Sequence, residues 1–127
     1  MLSRYTIYRR RPTGAPPLPA GERQDTRYRT RHILRPTQVI VESYLAAPTE
    51  TAFSAFQASY LELLSTRWND DRSDFDQLAN LAREQDVFLG CSCPTQKNPD
   101  VRHCHTWMAL QFMAQHFPDL EVIFPEK

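Results

Sequence analysis

A chain of 127 residues, 41% hydrophobic and 24% charged, has the make-up of one globular domain with a real core. No apolar run approaches the ~20 residues of a membrane-spanning helix, and arginines interrupt the N-terminal MLSRYTIYRRR where a signal peptide would be apolar. The net charge is zero but unevenly placed: nine arginines against Glu22 and Asp25 make residues 1–35 +7, while six basic and thirteen acidic side chains make the rest −7.

Tyr5-Thr6-Ile7-Tyr8 is aromatic and β-branched, which predicts a strand over residues 4–9. Residues 11–21 hold Pro12, Pro16, Pro17 and Pro19 with two glycines, so they form an extended surface loop. The stretch GERQDTRYRTRHILRPT is arginine-rich, with Tyr28, Ile33 and Leu34 as its only large apolar residues, and reads as loop with at most one helical turn. Such a basic segment either lies across acidic helices and neutralises them or forms an anion-binding arm through arginines such as Arg27 and Arg31. Internal balance is the preferred reading. With no aromatic-plus-basic recognition motif, nucleic-acid binding is expected to be weak and salt-sensitive, or absent.

Three helices fill the middle. Pro36-Thr37 starts one that runs to about Ala47, burying Ile40, Tyr44 and Leu45. Thr49 caps a second, whose Phe53, Phe56, Tyr60, Leu63 and Leu64 keep a 3.6-residue period through Trp68. Asn69-Asp70-Asp71 breaks it. Ser73 with Asp76 suggests a capping box for a third helix, with Phe75, Leu78, Ala79 and Ala82 on its core face and its end near Gln85.

Val87 to Cys91 then reads as a strand, and a largely buried helix ends at Phe117 before Pro118. The helix starts either at Asn98-Pro99-Asp100, a cap signal, or near His103. Leu120 to Phe124 reads as a last strand, which completes a C-terminal βαβ unit. The expected fold is one α/β domain over residues 1–127: a small, mainly parallel sheet of three or four strands flanked by helices, with a Pro/Arg-rich loop over residues 10–36.

All three cysteines fall around the turn between that strand and helix, at Cys91, Cys93 and Cys104, with His105 next to the last. An odd count with C-x-C spacing is a poor disulfide framework and suits reduced thiols in a cytoplasmic protein. Ligands of open α/β sheets bind beyond the carboxyl ends of the strands, where this turn lies. Three readings stay open. Cys91, Cys93, Cys104 and His105 (or His103) form a Cys₃His set that suits zinc as a cofactor. Alternatively, Cys93 or Cys104 is a reactive thiol beside His105, with Arg102 near enough to help hold a small anionic, phosphate-containing ligand. In the third reading, Cys91 and Cys104 simply pack in the core. The residue types alone do not say whether the protein is an enzyme. Thioredoxin-type C-x-x-C is absent, and Lys97 and Pro99 stand where a tyrosine-phosphatase loop would need arginine.

Leu89-x-Cys91 at the end of a strand, followed by Cys104-His105 at a helix, resembles the C-terminal part of a bacterial family of small α/β proteins, domain of unknown function 488. That family usually has Arg after Cys-His and an acid near the first cysteine; this chain has Thr106 and Cys93 there. The resemblance implies the α/β fold and carries no assigned activity.

Overall fold

A computed structural model describes residues 1–125. Its sheet has three parallel strands, β1 (Leu2–Thr6), β2 (Glu22–Asp25) and β3 (Val87–Cys91), in the order β1-β3-β2. The apolar Val87-Phe88-Leu89-Gly90 run explains why β3 is central. Val87 and Leu89 are fully buried, as a strand flanked on both sides requires. Around the sheet lie α1 (Gln38–Ala46), α2 (Glu50–Asp70), α3 (Ser73–Glu84) and α4 (His105–His116). The chain is thus the expected small α/β fold, with its sheet entirely parallel.

Three elements differ from expectation. β1 lies earlier than residues 4–9, because Leu2 is buried opposite Val87 while Tyr8, Arg9 and Arg10 turn out to solvent. β2 forms where a loop was expected. Its Glu-Arg-Gln-Asp sequence has no strand propensity, yet pairing with β3 overrides that at a sheet edge. The last strand shrinks to one parallel bridge between Val122 and Leu2, so α4 carries the chain across β1 rather than back beside β3. Pro118 and Pro125, which cannot donate to a ladder, bound that segment.

The helices follow their sequence signals closely. Thr37 and Thr49 accept the Ile40 and Ala52 amides and so cap α1 and α2. Phe56, Tyr60 and Leu64, four residues apart, bury one stripe of α2, and Phe75, Leu78, Ala79 and Ala82 bury that of α3. The Ser73/Asp76 capping box is replaced by another arrangement: Asp71 accepts the Ser73 amide at 2.9 Å, and Asp76 pairs with Arg72. In α4, Met108, Ala109, Leu110, Phe112 and Met113 are all buried. Among the described residues, no helix is long and apolar enough to cross a membrane.

The arginine segment is not held by the expected charge neutralisation. Among the described residues, no ion pair joins its arginines to an acid on a helix; Arg27 pairs with Asp25 two residues away. Leu34 instead enters the core, Tyr60 Oη donates to its carbonyl at 2.7 Å, and Arg67 donates to the carbonyls of Ile33 and Arg35.

Candidate metal and ligand site

The carboxyl ends of the three strands meet where the cysteines lie. Pairing sets Thr6 opposite Cys91 on one side of β3 and Asp25 opposite Gly90 on the other. Thr26, the residue after β2, is thereby fixed beside the turn, its amide and hydroxyl both donating to the Gly90 carbonyl.

After Cys93 the chain makes a tight loop, closed by mutual backbone bonds between Thr95 and Asn98. Asn98-Pro99-Asp100 starts only a single 3₁₀ turn, Val101–His103, in which Asp100 caps the Arg102 amide. The α-helix begins later, with Cys104 as its N-cap residue. Of the two possible helix starts, the later one is found, and it sets Cys104 at the positive end of α4. Asn98 is consequently free for another task. It is buried, accepts from Tyr44 Oη at 3.1 Å, and donates to Cys93 Sγ at 3.4 Å and to the His103 carbonyl at 3.3 Å.

The Sγ atoms of Cys91, Cys93 and Cys104 lie within 4.8 Å of one another, placed where they could hold a metal ion. His105 is buried, with Nδ1 3.6 Å from Cys91 Sγ and 3.9 Å from Cys104 Sγ. Its Nε2 lies 3.0 Å from the Thr26 carbonyl and 2.8 Å from the Thr26 hydroxyl. A carbonyl only accepts, so Nε2 carries a proton and donates to it, and Nδ1 is the nitrogen that faces the sulfurs. His103 does not join the cluster; it stacks on Phe53 at 4.1 Å.

Beneath the cysteines lies Arg4, a residue the sequence reading did not single out. It is only 5% exposed and, among the described residues, has no carboxylate partner. Its guanidinium donates to Thr106 Oγ1 at 2.8 Å, to the Cys93 carbonyl at 2.6 Å and to the Tyr5 carbonyl at 3.3 Å. Thr106 in turn donates to Cys104 Sγ at 3.1 Å. The neighbouring Cys104 and Cys93 thiols and the Arg4 charge hold Cys91 well below the usual thiol range. The Cys104 and Cys91 thiols, together with burial, push Cys93 up.

Above the cluster opens a cleft of about 620 Å³. Pro36, Val41, Tyr44, Leu45 and Phe56 give it an apolar wall, and Arg9, Arg27, Tyr28 and Arg29 line it elsewhere. Of Arg27, Arg31 and Arg102, only Arg27 reaches this cleft. Arg31 lines a separate, smaller hollow beside His32, and Arg102 is exposed and paired with Asp100. Arg9 and Arg29, like Arg4, carry no local motif; only the strand register brings them to the cysteine turn.

Comparison with known proteins finds no match: no family model, no curated protein and no solved structure. What the site does must be read from its own donors and charges.

Proposed function

We propose that this chain is a thiolate metal-binding protein, with zinc the ion best suited to Cys91, Cys93, Cys104 and His105. The supporting observation is the orientation of His105. With Nε2–H given to the Thr26 carbonyl, its Nδ1 turns toward Cys91 and Cys104 in the manner of a ligating histidine fixed by its outer partner. Tetrahedral zinc with ordinary bond lengths sets sulfurs about 3.8 Å apart and sulfur about 3.5 Å from nitrogen. The observed 3.6 Å and 3.9 Å approach that nitrogen spacing.

Charge supports the same reading. Three thiolates, a neutral imidazole and a divalent cation sum to −1, which the buried Arg4 guanidinium offsets. Three neutral thiols merely packed together would leave Arg4 buried without a counter-charge. The N–H of Asn98 and the O–H of Thr106 point at Cys93 and Cys104 as donors, as metal-bound thiolates require.

A second reading starts from the contact between Cys91 Sγ and His105 Nδ1, 3.6 Å apart. Without metal, a single thiolate on Cys91 would also balance Arg4, making Cys91 the nucleophile or redox centre beside His105.

Cobalt(II) titration separates the two. Tetrahedral thiolate coordination gives intense visible d–d bands and sulfur-to-cobalt charge transfer in the near ultraviolet. The proposal expects one cobalt per chain, charge transfer that falls stepwise with each Cys→Ser change, and a shifted d–d envelope in His105→Ala. Absence of tetrahedral bands, with rapid alkylation of Cys91 alone below pH 7, would establish the reactive thiol instead.

A further inference from the structure

We propose that the cleft above the cysteine cluster binds a small organic phosphate, its apolar body against Val41, Leu45, Tyr44 and Phe56 and its anionic head between Arg9 and Arg29. A volume of about 620 Å³ falls in the size range of pockets that take a small organic molecule. Its apolar wall comes from α1 and α2, and its floor is the cysteine turn.

The charge of the lining determines the ligand class. Among the described residues no aspartate or glutamate lines the cleft, whereas three arginines do. Arg27 is already engaged, its guanidinium held bidentate on Asp25 at 2.7–3.1 Å. Arg9 makes no hydrogen bond or ion pair with any described residue, and the Arg29 side chain makes only a cation–π contact with Tyr28, 5.6 Å from the ring centroid. Two guanidinium forks without carboxylates, facing a cleft with no acid of its own, suit a doubly charged phosphate head. The floor does not oppose this. The buried Arg4 guanidinium lies against the cysteine turn as a local counter-charge, so the positive field of Arg9 and Arg29 is left over. The proposal takes the cluster only as the floor of the cleft and requires no bond from the ligand to a metal.

The probe is 1-naphthyl phosphate, a flat apolar body with one phosphate monoester, titrated by its fluorescence into the full-length protein as purified. Its zinc content is measured on the same sample, so failure of the metal reading and failure of this one are distinguishable. We expect 1-naphthol and inorganic phosphate each to bind at least ~10-fold more weakly than the ester, the loss of roughly one charge-assisted contact set or one apolar body. Arg9→Ala and Arg29→Ala should each weaken the ester by about 5- to 10-fold and flatten its salt dependence, while Arg10→Ala, outside the cleft, leaves it unchanged. Leu45→Ala should weaken the ester and 1-naphthol alike. Equal binding of 1-naphthol and its phosphate, or an effect of Arg10→Ala as large as that of Arg9→Ala, would overturn the proposal. So would no measurable binding to protein whose circular dichroism and melting show it folded.

Discussion

His105 Nε2 lies 3.0 Å from the Thr26 carbonyl oxygen, and this one contact between α4 and the residue after β2 fixes which histidine nitrogen faces the sulfurs. Because the acceptor is main-chain, no side-chain change at residue 26 removes it. His105→Ala should therefore lower zinc affinity by at least ~100-fold, while Thr26→Val should lower it by no more than ~10-fold, within the range of outer-partner effects. Zinc competition against a chromophoric chelator measures both. Equal losses would mean that His105 only packs.

Arg4 tests the charge balance of the cluster. Arg4→Met keeps much of the buried volume but removes the countercharge and the bonds to Thr106 and the Cys93 carbonyl. Zinc affinity should fall by roughly 10- to 100-fold. Arg4→Lys restores the charge without the fork and should recover part of that loss. The chelator competition used for His105 reads both variants, and an unchanged affinity in Arg4→Met would contradict the proposed role.

Acid should destabilise the protein through His32. Burial first, with the nearby Arg35 charge acting the same way, lowers its pKa to about 4, against the opposing pull of Asp25 and Asp74. The geometry explains why the neutral form is held: Nε2 donates to Gln24 Oε1 at 2.7 Å, and Nδ1 accepts the Leu34 amide at 3.1 Å, so a second ring proton has no place. The folded pKa lies below the unfolded value of about 6.5, so the unfolded chain takes up the proton first. The contribution is complete above about pH 6.5, declines as the pH falls toward 4 and is gone below it. It amounts to at most about 3 kcal/mol. Urea unfolding between pH 4 and 7 measures the slope, and His32→Gln should flatten it.

Much of this architecture was legible in the chain, and what was not has particular causes. The α2 stripe of Phe56, Tyr60 and Leu64, the α3 face and the β3 run at Val87–Cys91 are local patterns whose period or apolarity alone identifies them. β2 was illegible because Glu22–Asp25 owes its strand to backbone pairing with β3, which no side chain announces. The cysteine turn was recognisable as a site from composition and spacing. Arg4 and Arg9 were not, because an arginine among nine in one segment becomes special only through the register that sets β1 beside β3 and carries the rest of the segment around the cleft.

Gly21 is the local requirement for that hidden strand. At φ +135° it holds a backbone that L side chains rarely adopt, and a Cβ there would lie 2.6 Å from the Asp86 carbonyl oxygen, the acceptor of the Glu22 amide. Gly21→Ala should cost about 1–3 kcal/mol and unseat β2. Amide exchange of Gln24 and Thr26 reports this directly; unchanged protection in the variant would mean the turn tolerates the strain.

The central claim is that the three thiolates and His105 hold a metal. Native mass spectrometry of protein purified without chelator, followed by chelator treatment, tests it most directly. One zinc per chain is expected, removed by the chelator, restored by added zinc, and missing from Cys91→Ser and Cys104→Ser. Metal-free protein that takes up no zinc on addition, and whose three cysteines alkylate only after denaturation, would contradict it.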